Sequence, residues 1–216
     1  MIALMAALRR VQLAAALLIA LAVAGPAAAQ GFTVAPPTPA GSTKLIATVT
    51  ASASSAITFT SLGGYNTVVL FCTNVIVSGD NGWVLLQVGE GGTPTWETTV
   101  GSYSWALNLI QATNAAQTSF DQAGQSQAGI AIMEEPTTGG TPGTFTVTMQ
   151  GMQSNTATKG FLVNAFGWFD AVTSDYLYFG GGGYTGDTNP ITQIRLTQQS
   201  GGTFTTGSCS LYGRAT

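Results

Sequence analysis

The sequence predicts an all-β fold, a jelly-roll-like antiparallel β-sandwich of about ten strands, on three observations. First, threonine is the leading polar residue with 32 copies in 216, glycine contributes 28, and only 7% of residues are Asp, Glu, Lys or Arg. A chain rich in Thr and Gly and poor in Lys and Glu favours strands over helices. Second, short apolar-polar alternations recur, separated by Gly, Pro, Asn and Asp clusters at the spacing of a sandwich or barrel. Third, beyond residue 30 no segment sustains an apolar stripe at the helical period.

The first element is an address. Arg9 and Arg10 precede the apolar run Leu13 to Val23, Gly25-Pro26 breaks it, and Ala27-Ala28-Ala29 follows. This reads as a secretory signal peptide over 1–29, cleaved after Ala29. Its apolar stretch is shorter than the about 20 residues a membrane span needs. The chain is therefore expected to be exported (periplasm, medium or cell surface), with no membrane contact beyond the leader. Residues 30–43 contain Pro36, Pro37 and Pro39 and read as an extended tether. Residues 44–216 are long enough for one two-sheet domain.

Within that domain, Lys44 to Thr50 and Ala56 to Thr60 alternate as strands. Thr67 to Val75 follows a Gly63-Gly64 turn, and Ser78 to Gly82 is a hairpin-type connection into Trp83 to Val88. Glu90 to Thr95 reads as a loop before Tyr103 to Ile110. Residues 111–127 are polar and small, a long loop or a short helix. Ala128 to Met133, Phe145 to Met149, Phe161 to Phe169 and Tyr176 to Phe179 resume strand character. Gly180 to Gly183 reads as a loop connecting strands, and Ile191 to Leu196 and Gly207 to Gly213 close the domain.

Charge and chemistry exclude several functions. With no histidine there is no Ser-His-Asp or Cys-His arrangement and no histidine metal ligand. Removal of the leader leaves four cations (Lys44, Lys159, Arg195, Arg214) against nine carboxylates, a formal charge of −5, too few cations for nucleic acid. No Gly-x-Ser-x-Gly elbow or Ser-x-x-Lys motif is present. Glu134 and Glu135 are adjacent, so on a strand they face opposite sides, and Pro136 ends the strand. They read as a solvated strand end rather than a glycosidase pair. Asp80 with Asn81, Asp170 with Asp175, and Asp187 with Asn189 read as turn and cap residues, without a calcium-loop pattern. No catalytic residue, metal or cofactor is expected.

Two sets of residues stand out. Cys72 and Cys209 are the only cysteines, and each shares a strand face with apolar neighbours, Val68 and Leu70 for one and Leu211 for the other. A disulfide and two buried thiols both fit. Trp83, Trp96, Tyr103 and Trp105 lie at strand starts or beside loops. They either stack on sugars or close the ends of the core, where burial of a large ring is worth about 2–3 kcal/mol.

Ile57, Phe59, Thr60, Leu62 and Tyr65 resemble the I-x-F-T-x-L-x-x-Y opening of small β-sandwich virion proteins of tailed bacteriophages, found in tails, fibres and minor capsid components. Thr73-Asn74-Val75, Gly79-Asp80-Asn81-Gly82, Leu85 to Gly89, and the loop Gly91 to Trp96 leading to Tyr103 and Trp105 continue the similarity. The closing segment is its most specific part: Pro190-Ile191, Ile194-Arg195-Leu196, Gly202, Phe204, Gly207 and Leu211-Tyr212-Gly213 resemble P-I-T-x-I-R-L … G-x-F … G … L-Y-G. The resemblance covers about Ile57 to Gly213. It implies a scaffold with buried Ile194 and Leu196 and no catalytic residue, and assembly as a homo-oligomer, commonly a trimer. The leader and the cysteine pair set this chain apart from virion proteins made in the cytosol and suit an exported bacterial relative of a phage domain or a phage module reused outside the cell, whereas the resemblance taken alone implies a place in the virion. The expected function is a structural or adhesive module, not an enzyme, that self-associates or meets a glycan or cell-surface receptor. The alternative is an exported carbohydrate-binding module using the aromatic residues.

Overall fold

The computed structural model describes residues 43–79, 82–91, 95–111, 122–124, 128–135, 142–168 and 175–215. The leader and nearly all of the tether lie outside them. Among the described residues every regular element is a strand: β1 (Lys44–Thr50), β2 (Ile57–Phe59), β3 (Tyr65–Val77), β4 (Trp83–Glu90), β5 (Thr95–Trp96), β6 (Tyr103–Gln111), β7 (Gln122–Gly124), β8 (Ile130–Glu134), β9 (Gly143–Gln150), β10 (Lys159–Trp168), β11 (Asp175–Tyr184), β12 (Ile191–Gln198) and β13 (Phe204–Ala215).

The strands form two antiparallel sheets. The large sheet runs β1-β13-β3-β9-β10-β11-β6-β7, and the small one runs β2-β12-β4, with β5 and β8 pairing different stretches of β4. Four strands of each sheet, β1-β13-β3-β9 and β2-β12-β4-β8, have jelly-roll order. Along the chain these eight alternate between sheets except where β4 passes to β8. The other five are additions: β10, β11, β6 and β7 widen the large sheet beyond β9, and β5 caps the end of β4.

Residue alternation explains the layering. In β9, Phe145, Val147 and Met149 are buried while Thr144, Thr146 and Thr148 are not, the period-two pattern of a sheet with one face on the core. β4 differs: Val84 to Gly89 is buried throughout. Its outer side is covered, with the Gln87 amide donating to Ala128 O at 2.6 Å and Leu85 lying beside Gly129.

The cysteines sit directly opposite one another, Cys72 on β3 and Cys209 on β13. Their Cα atoms are 4.1 Å apart, they are joined as a disulfide, and both are fully buried. One end of this strand pair is bent. Asn74 has φ 55° and Gly207 φ 140°, the register shifts on both strands, and Thr206 Oγ1 donates to Asn74 O at 2.9 Å. These are facing bulges, which sharpen the local twist.

Three sequence expectations change. Gly180 to Gly183 is not a loop but the interior of β11, paired with β10 on one side and β6 on the other. Steric room is the reason. A Cβ on Gly180 or Gly182 would run into the carbonyl of Ala106 or Ser104, and one on Gly181 into that of Phe161. The expected Glu90–Thr95 loop ends in a two-residue strand, β5, and the polar 111–127 stretch begins with the last residue of β6 and contains β7, with the rest of it outside the described residues.

Candidate functional site: the outer face of the large sheet

The four aromatic candidates divide by burial. Tyr103 is 0% and Trp105 4% exposed, so neither offers a face to a ligand, and the stacking role read for them gives way to a packing role. The Tyr103 hydroxyl accepts the Val88 N–H at 3.1 Å and donates to Glu97 O at 3.0 Å, and its ring lies 5.4 Å from that of Tyr184. Burial pushes the Tyr103 hydroxyl well above the ordinary tyrosine range, which keeps it a neutral donor. Half-buried Trp83 packs against Trp105 at 5.5 Å and edge-on to Tyr178 at 6.2 Å, closing one end of the core. Half-buried Trp96 has the Arg195 guanidinium 4.5 Å over its ring. Arg195 Nε in turn donates to Gln87 Oε1 at 2.7 Å.

The carboxylates form small structural groups. Glu90 accepts from the Tyr184 hydroxyl and the Asn189 amide, each at 3.1 Å, and the same amide donates to Asp187 at 3.0 Å. Burial and the neighbouring Asp187 hold the Glu90 carboxyl above its ordinary range. For Asp187, burial acts upward, but hydrogen bonds from Glu90 and Asn189 outweigh it and bring the carboxyl down. Lys159 is fully enclosed nearby, its ammonium lowered by burial and partly restored by Asp187 and Glu90. Glu134 and Glu135 are not a solvated strand end. Glu134 is half-buried and accepts from the Tyr178 hydroxyl at 3.3 Å. Glu135 is 0% exposed and accepts the Ser200 N–H at 3.1 Å. Its own N–H continues the ladder to Gly82 O, and its side chain packs against Gly79 and Gly82 rather than reaching into water. Among the described residues no three His, Cys, Asp or Glu side chains converge as metal ligands.

The broadest distinctive surface is the outer face of the large sheet, formed by the strand positions that do not meet the core. Phe71, Leu162, Phe166, Leu177 and Phe179 are exposed there. Register places them in rows across the sheet. One row reads Phe71, Thr146, Asn164, Phe179, Asn108, the next Val69, Thr148, Leu162, Gly181, Ala106, and a third Thr144, Phe166, Leu177, Ile110. No residue in these rows is charged. Clusters of exposed apolar side chains on a soluble domain mark interaction surfaces. Alternation alone does not reveal this one, because Phe161 to Phe169 is apolar on both faces. Only the burial of Phe161, Val163 and Ala165 shows that Leu162 and Phe166 point outward.

Comparison with protein-family models, with curated proteins and with solved structures finds no match.

Proposed function

We propose that the domain is an exported, non-enzymatic structural or adhesive module that self-associates through the outer face of its large sheet. The carrying observation is the set of five exposed large apolar side chains in rows without a charge. Two such faces meet without like-charge repulsion, and Thr and Asn between the apolar groups lose little on desolvation compared with Lys or Glu. The buried disulfide supports an oxidising destination. Burial of Ile194, Leu196 and Leu211 agrees with the scaffold role implied by the resemblance to phage virion sandwiches.

Sedimentation velocity on the chain without its leader tests this reading. A mass that is a multiple of the chain mass is expected, and Leu162→Glu with Phe179→Glu should return it to one chain with its thermal midpoint kept. A wild-type monomer at high concentration overturns the proposal. The carbohydrate-binding alternative rests on half-buried Trp96, with the Arg195 guanidinium over its ring. Glycan binding lost in a folded Trp96→Ala variant would favour it.

A further inference from the structure

Among the described residues, five buried side-chain polar atoms lack a hydrogen-bond partner, and three of them belong to one cluster: Glu135 Oε2 and both amide atoms of Gln198. Glu135 is 0% and Gln198 8% exposed. Buried polar groups are ordinarily satisfied, and a buried carboxylate is ordinarily paired. Glu135 has only the Ser200 N–H, on its other oxygen. The two unpartnered oxygens converge with the hydroxyl of Ser200. Glu135 Oε2, Gln198 Oε1 and Ser200 Oγ all lie within 3.1 Å of the point a Cβ on Gly79 would occupy. Gly79, Gly82 and Gly202 all pack against these side chains closely enough to exclude a Cβ. Ser200 is exposed, which gives a route in from solvent.

We propose that Glu135, Gln198 and Ser200 form a binding site for a hard, oxygen-preferring divalent cation of the calcium class, at the end of the sandwich where β8 and β12 terminate beside Gly79 and Gly82. The ligand set is a carboxylate, an amide oxygen and a hydroxyl, the oxygen chemistry that calcium takes. It contains neither thiolate nor imidazole, so it does not suit zinc or copper. With one carboxylate among the ligands, affinity falls in the weak class of about 10⁻⁴–10⁻³ M typical of extracellular modules. The cation would supply the charge partner that Glu135 lacks and fasten the ends of two strands that are distant in sequence.

The test is thermal unfolding of the leader-free chain, first stripped with chelator and then titrated with calcium chloride to about 10 mM at matched ionic strength. The midpoint should rise by roughly 4–8 °C and fall back on chelation. Terbium should bind in competition with calcium, with luminescence sensitised through Trp83, whose carbonyl accepts the Gln199 N–H at 3.0 Å. Glu135→Gln should fold and lose both responses, and Gln198→Ala should weaken both. A wild-type midpoint indifferent to calcium overturns the proposal, because a water or a carboxyl proton in the same place gives no such dependence. A full calcium response in Glu135→Gln overturns it as well.

Discussion

Cys72 and Cys209 occupy one register position on neighbouring strands, with Cα atoms 4.1 Å apart, and their buried disulfide lies two positions along the strands from the Leu70–Leu211 pair and level with Phe145 on β9. The bridge ties residues 137 apart in sequence at a point where β3 is already held by β13 and β9. Its stabilising effect therefore falls mainly on the unfolded chain, where a cross-link of this span removes about 4–5 kcal/mol of conformational freedom in the chain-entropy model. Reduction, or Cys72→Ala with Cys209→Ala, should lower the thermal midpoint by roughly 10–15 °C and leave the fold intact. Calorimetry with and without reductant checks this. An unchanged midpoint would show that hydrogen bonding between β3 and β13 suffices alone.

The glycine run in β11 makes a sharper prediction, because two glycines one residue apart on neighbouring strands should respond differently. A Cβ at Gly182 would meet the carbonyl of Ser104 and come within 2.8 Å of Trp105 Cα. Gly182→Ala must push β6 away from β11 and should cost about 3 kcal/mol. Gly160, on β10, has nothing within 4 Å of its Cβ position. Gly160→Ala should stay within about 1 kcal/mol of the wild type. Urea unfolding of the two variants side by side gives the comparison.

What the sequence conveys and what it hides follow one division. Phe145, Val147 and Met149 alternate with threonines, so β9 and its buried face are legible from local pattern. The glycines of β11 are not, because their strand assignment depends on the close approach of Ala106, Ser104 and Phe161 from neighbouring strands, and isolated glycine favours no strand. β5 and β7, at two and three residues, are too short to show any period. Glu135 reads as a solvated end because its partner, Ser200 N–H, is 65 residues away. The outer apolar face is hidden for a related reason: where both faces of a strand are apolar, composition does not say which one meets the core.

Acidity should affect stability through Glu134. Burial pushes its carboxyl above the ordinary range, and the Tyr178 hydroxyl offsets only part of that. In the unfolded chain it titrates near its usual value of about 4.3. The folded state thus keeps the proton to higher pH than the unfolded state. The associated stability is fully present below the unfolded value and is lost as pH rises through the raised folded value. Glu134→Gln, which stays neutral and can still accept from Tyr178, should flatten that decline. Thermal midpoints from pH 4 to pH 7 measure it. A decline equally steep in the variant would assign the effect to another group, with Glu90, also raised, the next to substitute.

Tyr103 separates a packing role from a ligand-binding role. Its hydroxyl is fully buried and serves two backbone groups, accepting from Val88 N–H and donating to Glu97 O. Tyr103→Phe keeps the ring against Tyr184 but leaves the Val88 N–H without a partner in the core, a loss of about 1–3 kcal/mol. The thermal midpoint should fall by roughly 3–9 °C, while self-association through the opposite face of the sheet is unchanged, because the hydroxyl points inward. Tyr103→Ala removes the ring as well and should cost about 3–5 kcal/mol. Calorimetry paired with sedimentation velocity reads both properties on the same variants. If Tyr103→Phe kept the wild-type midpoint but lost a bound glycan, the hydroxyl would belong to a ligand site rather than to the frame that holds β4 against β6.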